Sequence, residues 1–198
     1  MGFIFVPLAV GVFSAVELLV CGQRCAAFFV VQSHNYYWGG KVMKMEVSVK
    51  KIKTDAEDLF RRGEFFCSEA IVASIRSNFE LDMPEEMIAM ASGFPVGIGR
   101  SKCVCGAISG GIIAIGYFFG RTKGGDSKVE KTLALANELQ EEFKKNHKVL
   151  CCHVHTKGMD MASGEHKDQC VSFTGEVAEI AANIVVRELG VKNLDSEV

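Results

Sequence analysis

The run Cys103-Val104-Cys105-Gly106-Ala107-Ile108-Ser109-Gly110-Gly111 decides how this chain is read. A glycine-bounded loop, with Gly93, Gly97 and Gly99 upstream, turns here into an apolar helix of small residues. Residues 104–119 carry no charge between Lys102 and Arg121. That stretch is short for a membrane span, which needs about 20 apolar residues. It reads instead as a central helix buried on all sides. Gly106, Gly110 and Ala114 recur every four residues, so one face lets a neighbouring backbone come close. Cys105, at the start of this helix, meets free backbone N–H groups and the positive end of the helix dipole, and both favour thiolate.

Helical spacing continues on both sides. Asp55, Ala56, Leu59 and Phe60 make a short amphipathic helix that stops near Gly63. A second helix starts around Cys67, with Ala70, Ile71, Ser74 and Ile75 on one face. Pro84 suits the first position of a third, ahead of Glu85 and Glu86, and Gly93 ends it. Ser127 and Glu130 form a capping-box pattern for a helix whose inward face reads Val129, Leu133, Ala136, Leu139 and Phe143. The last helix spans residues 175–189, with Gly190 as its stop. No convincing strand alternation is present, although residues 148–154 could be extended. The expected fold is all-α, a helical bundle of about five to six helices around the small-residue helix.

Residues 1–42 differ from the rest. Residues 3–20 are nearly all apolar, but Met1-Gly2-Phe3 gives no basic start for a secretory signal, and Pro7 and Glu17 interrupt a spanning helix. The segment reads as an apolar extension upstream of an ordinary start at Met43, or as a membrane anchor. The expected organisation is then a linker over 43–53, a cysteine-bearing helical redox domain over 54–190, and a flexible tail over 191–198. A cytoplasmic location is expected, membrane-anchored if the first segment is genuine.

The totals narrow the function. A length of 198 residues allows a sizeable core, and a formal charge of −2 implies no polyanionic partner. No basic stripe with interleaved aromatics suggests nucleic-acid binding. Eight cysteines are the unusual number. In a long helical chain they favour thiol chemistry in a reducing compartment over a disulfide scaffold.

Six of these cysteines fall in the helical part: Cys67, Cys103, Cys105, Cys151, Cys152 and Cys170. Cys67, Cys105 and Cys170 lie near expected helix N-termini, and Cys151 with Cys152 directly follows a helix. A bundle with short connections can bring these regions to one end. No pair matches the C-x2-C knuckle of structural zinc. His153 and His155, with His147 and His166 nearby, allow a mixed Cys/His site. The run Gly97-Ile98-Gly99-Arg100-Ser101-Lys102 lacks the spacing of a phosphate loop and reads as a tight turn that delivers Cys105. Arg100 and Lys102 would then help to lower the Cys105 pKa.

The layout resembles the C_GCAxxG_C_C family of redox-active proteins, related to the corresponding part of split-Soret cytochromes. The resemblance rests on Phe60, Gly63, Cys67-Ser68-Glu69-Ala70, Gly93-Phe94, Gly97-Ile98-Gly99-Arg100 and Cys105-Gly106-Ala107-Ile108-Ser109-Gly110. It continues through Cys152, Gly158, Asp160 and Cys170 and covers roughly residues 54–190. It implies that Cys67, Cys105, Cys152 and Cys170 are the functional thiols, with Cys151 a substitute for Cys152. Pro95-Val96 stands where the family has glycines, and Cys103 is an additional thiol, a resolving partner or ligand. No C-x-x-C-H motif is present, so no covalent haem is expected.

Three readings follow. The first is electron transfer through an iron–sulfur cluster on Cys67, Cys105, Cys152 (or Cys151) and Cys170, with a redox partner. The second is an oxidoreductase of thiol–disulfide type, with Cys105 as the reactive thiolate and Cys67, Cys103 or Cys170 resolving it. The third is a non-catalytic zinc-binding or interaction module using Cys152, His153 or His155. The glycine-faced helix, Phe118 and Phe119 also suit a homodimer.

Overall fold

The computed structural model describes residues 35–38 and 41–196. Residues 1–34, which hold most of the apolar extension, lie outside the described residues. In chain order the elements are β1 (Asn35–Trp38), β2 (Lys41–Lys44), β3 (Glu46–Val47), α1 (Val49–Arg61), α2 (Cys67–Asn78) and α3 (Glu86–Ala91). They continue with α4 (Gly106–Phe119), α5 (Lys128–His147), α6 (Cys152–His155), α7 (Lys167–Leu189), β4 (Lys192–Asn193) and a closing 3-10 turn, Leu194–Ser196. The protein is an all-α bundle, as its small-residue and apolar patterning requires.

α4 is the central element. Ala107, Ile108, Ala114, Ile115, Phe118 and Phe119 are buried, and no residue of the helix is fully exposed. α2, α5 and α7 pack around it, and α1 lies along α7. The four-residue glycine stripe explains the crossing of α2 over α4. A Cβ at Gly110 would stand 2.7 Å from the Ser68 carbonyl oxygen and 2.8 Å from its Cα, so only glycine admits the α2 backbone here. Ser68 is fully buried and donates its hydroxyl to the Ala91 carbonyl at 2.9 Å, which ties α3 to the same crossing. No helix among the described residues is long and apolar enough to cross a membrane.

Several elements differ from the sequence reading. α7 begins eight residues before Gly175, so Cys170 lies within its opening turns rather than ahead of it. The inward face of α5 is Leu135, Leu139 and Phe143, whereas Leu133 is 59% exposed. Ser127 does not cap α5 through its side chain. Asp126 Oδ1 instead accepts the Lys128 N–H at 2.9 Å. Residues 43–53, expected as a linker, hold β2, β3 and the start of α1, with Met43, Val47, Val49 and Ile52 buried. The expected flexible tail is tied down through residue 196. β4 pairs in parallel with β3, and Asp195 accepts from the Ser48 hydroxyl at 2.7 Å and the Lys50 N–H at 2.8 Å. β1 and β2 pair antiparallel, Asn35 opposite Lys44.

Candidate functional site

Four helices begin around one cavity. Cys67 is the first residue of α2, Cys105 is the N-cap of α4, Cys152 is the first residue of α6, and Cys170 follows three residues into α7. All four line a cavity of about 70 Å³ together with Phe60, Phe66, Val96, Met161, His166 and Phe173. That volume is several times the roughly 10–15 Å³ one water needs, so it is more than a packing defect.

Each thiol reaches the cavity through local sequence. In Cys67-Ser68-Glu69-Ala70 the first residue faces the cavity and Ser68 makes the α4 crossing. The Glu69 carboxylate accepts the Phe66 N–H at 3.0 Å and the Ser92 hydroxyl at 2.5 Å, which fixes the helix start. Gly106 follows Cys105 because a Cβ there would stand 2.6 Å from Cys67 Sγ and 2.9 Å from the Phe94 carbonyl oxygen. The Cys-Gly-Ala motif is therefore a packing requirement: glycine at 106 leaves the space that the Cys67 sulfur occupies.

The glycine-rich loop and the 149–153 segment are joined backbone to backbone. Cys105 N–H donates to the Leu150 carbonyl at 2.8 Å, and His153 N–H donates to the Lys102 carbonyl at 2.8 Å. Within the loop Val96, Ile98, Arg100 and Lys102 all have positive φ, between 39° and 68°. Val96, one of the residues standing where the family has glycines, thus takes a backbone conformation suited to glycine.

Burial controls the ionisation of the four cavity thiols. It pushes Cys67 up to about 12, with the neighbouring Cys105 adding to the effect, while the Val96 amide opposes it. Burial pushes Cys170 up to about 12 and Cys152 up to about 11, again with Cys105 contributing. Cys105 itself, 7% exposed, is also raised by burial, against the pull of the Ala107 and Ile108 amides. The expectation of a lowered Cys105 pKa is therefore corrected. The helix terminus favours thiolate as foreseen, but loss of water is the larger effect. Lys102 acts on Cys152 rather than on Cys105.

The remaining candidates lie elsewhere. Cys103 is exposed and Cys151 is half-buried, and neither lines the cavity. Their thiols adjoin each other: the Cys103 S–H turned toward the Cys151 sulfur raises Cys103. Cys151 is lowered, first by the Val154 amide at the start of α6 and also by the Cys103 contact. So of the two adjacent thiols it is Cys152 that faces the cavity, and Cys103 is placed against Cys151 rather than against Cys105. His153 is exposed. His155 Nε2 contacts the Val149 carbonyl at 2.9 Å and His147 pairs with Glu176 at 2.5 Å. Both rings belong to an aromatic cluster with Phe143 and Phe173. Among the described residues no three His, Cys, Asp or Glu side chains gather as a group that could hold a metal ion.

His166, which the sequence suggested only as a neighbour of His153 and His155, lines the cavity itself. Its Nδ1 is buried with no hydrogen-bond partner. An unpaired buried polar atom costs about 1–3 kcal/mol, which is out of place in a cavity with only a structural role. The signal available was its position four residues before Cys170, one turn of α7 earlier.

The family model "Putative redox-active protein (C_GCAxxG_C_C)" matches residues 65–184. No curated relative and no solved structure matches the chain significantly. The matched span covers well over half of the sequence and contains all four cavity cysteines and the Gly106 and Gly110 contacts that seat them. By that match the chain belongs to the C_GCAxxG_C_C family of redox-active proteins.

Proposed function

We propose that Cys67, Cys105, Cys152 and Cys170 together hold an iron–sulfur cluster and that the protein transfers electrons through it. The observation that carries this reading is the convergence of four cysteines, each at or near a helix N-terminus, on one apolar cavity. A single zinc ion holds its sulfurs at about 2.3 Å, so its ligands nearly touch one another. A two-iron or four-iron cluster takes four cysteine thiolates, the number of cysteines that line this cavity. Burial, and after it the neighbouring thiols, raise the pKa of Cys67, Cys152 and Cys170, so the ring ionises readily only around positive charge. Four helix N-termini then favour the net negative charge that four thiolates bring. His166, with its unpaired Nδ1, would donate to one of those sulfurs or replace a ligand. When bound, the cluster would supply one-electron chemistry. The chain's own residues orient the sulfurs and, through Phe60, Phe66, Val96 and Phe173, exclude water.

The test is anaerobic reconstitution of the full chain with iron and sulfide, followed by iron and sulfide analysis and visible spectroscopy. The expected result is a brown protein with bound iron and acid-labile sulfide. Substituting Cys67, Cys105, Cys152 or Cys170 singly by Ser should reduce or abolish loading, whereas Cys103→Ser should not. Colourless protein without iron overturns the proposal. The thiol–disulfide reading at Cys105 is less well supported, because a buried thiol with a raised pKa is a poor nucleophile at neutral pH.

A further inference from the structure

We propose that Cys103 and Cys151 form a second redox site, a dithiol that is oxidised to an intramolecular disulfide by exchange with a small-molecule disulfide. The pair lies outside the lining of the four-cysteine cavity and does not depend on what that cavity binds. The argument is geometric. Backbone hydrogen bonds from Cys105 to Leu150 and from His153 to Lys102 bind the two loops side by side, on either side of the two thiols. The Cys151 sulfur sits 3.5 Å from the Lys102 carbonyl oxygen, in the peptide unit immediately before Cys103. Cys103 is exposed and open to a reagent, and Cys151 is half-buried.

The exchange balances in two displacements. The Cys151 sulfur, having released its proton to solvent, attacks one sulfur of the small disulfide, whose S–S bond breaks. A mixed disulfide forms on Cys151, and the first thiol departs with a proton from solvent. The Cys103 sulfur, releasing its proton to solvent, then attacks Cys151 Sγ. The Cys103–Cys151 bond forms and the second thiol leaves. Two protein thiols are oxidised and one disulfide is reduced to two thiols, with no other oxidant required. The segments involved are short loops joined by main-chain bonds, so the two sulfurs stay close throughout.

The experiment uses the full chain, metal-free and reduced, exposed to glutathione disulfide under native conditions. The protein is then quenched with acid and N-ethylmaleimide and digested with trypsin. Cleavage after Lys102, Arg121, Lys148 and Lys157 gives one peptide with Cys103 and Cys105 and another with Cys151 and Cys152. The two peptides are expected to be joined, and fragmentation should place the bond between Cys103 and Cys151. In Cys103→Ser the link should vanish and Cys151 should instead carry a glutathione adduct. A link through Cys105 or Cys152, persistence of the link in Cys103→Ser, or recovery of both thiols alkylated would each overturn the proposal. None of these results depends on iron loading, so failure here leaves the four-cysteine reading standing on its own test.

Discussion

Cys105 and Cys152 of the inner ring lie within two residues of Cys103 and Cys151 of the outer pair, yet Cys105 and Cys151 are shifted in opposite directions. Cys105 and Cys151 are both N-caps, and both have helix amides beside the sulfur. The buried one is held protonated, whereas the half-buried one is shifted toward thiolate. A helix terminus therefore does not by itself make a cysteine reactive. Water must also reach the sulfur, or a cation must replace the water. The same local device would serve the proposed cluster in one place and the proposed sulfur exchange a residue or two along the chain.

The largest effects should come from closing the inner site by packing. Gly110→Ala puts a methyl group against the Ser68 backbone, which cannot rotate away as a side chain can. A loss of about 3 kcal/mol is expected in urea unfolding, at the upper end for overpacking. Gly106→Ala meets the Cys67 sulfur, which can shift, but also the Phe94 carbonyl oxygen, which cannot, and should cost about 2–3 kcal/mol. Both variants should still form the Cys103–Cys151 link while they remain folded. Loss of that link in Gly106→Ala would mean that the two regions are not separable.

A second effect concerns pH. Cys67 and Cys170 at about 12, and Cys152 at about 11, compare with about 8.5 for an unfolded thiol. The folded state holds these protons more tightly, so their contribution is full below about pH 8.5 and is lost as pH rises toward the folded values. The urea midpoint of the metal-free protein should fall steadily above about pH 8.5. A midpoint that stays flat to about pH 10.5 would erase the contrast between the buried and exposed thiols. Alkylation of the same metal-free protein at neutral pH should label Cys151 before any cavity cysteine, read by peptide mapping. Equal labelling of Cys105 would erase it from the other side.

The smallest expected effect lies in the loop between the two regions. Ile98 is 47% exposed and has a φ of 39°, a strained combination for a β-branched residue. Ile98→Asn, which tolerates this conformation, should stabilise the protein by about 0.5–1 kcal/mol in thermal unfolding. No gain would show that the surrounding turn enforces the conformation at no cost.

Much of this was legible from residues alone. The uncharged run of small residues gave the central helix, and the glycine spacing gave the face on which α2 crosses. The residues alone gave six candidate cysteines, and the family resemblance implied the four that line the cavity, with Cys151 left as a substitute for Cys152. The first turns of α7 were not legible, because Lys167, Asp168 and Gln169 show no apolar periodicity and are held by tertiary packing around Cys170. The choice of Leu135 over Leu133 depends on how α5 rotates against α4, which one helix's sequence does not encode. The two-residue strands β3 and β4 are too short to alternate and meet across nearly the whole domain. The direction of the Cys105 pKa required knowing its burial. Separating Cys151 from Cys152 required knowing that two distant loops share main-chain bonds.

The β3–β4 pairing and the Asp195 contacts with Ser48 and Lys50 close the chain into a ring at one end of the bundle. α1 runs 13 residues from that closure toward Phe60 at the cavity, about 18 Å along its axis. α7 returns from Cys170 to the same closure over a longer distance. The two ends of the helical unit thus emerge together, on the side remote from the sulfurs. A carrier domain or affinity tag fused beyond residue 196 would hang clear of the thiols, and a circular permutant opened at the Gly124-Gly125 loop should keep them in place.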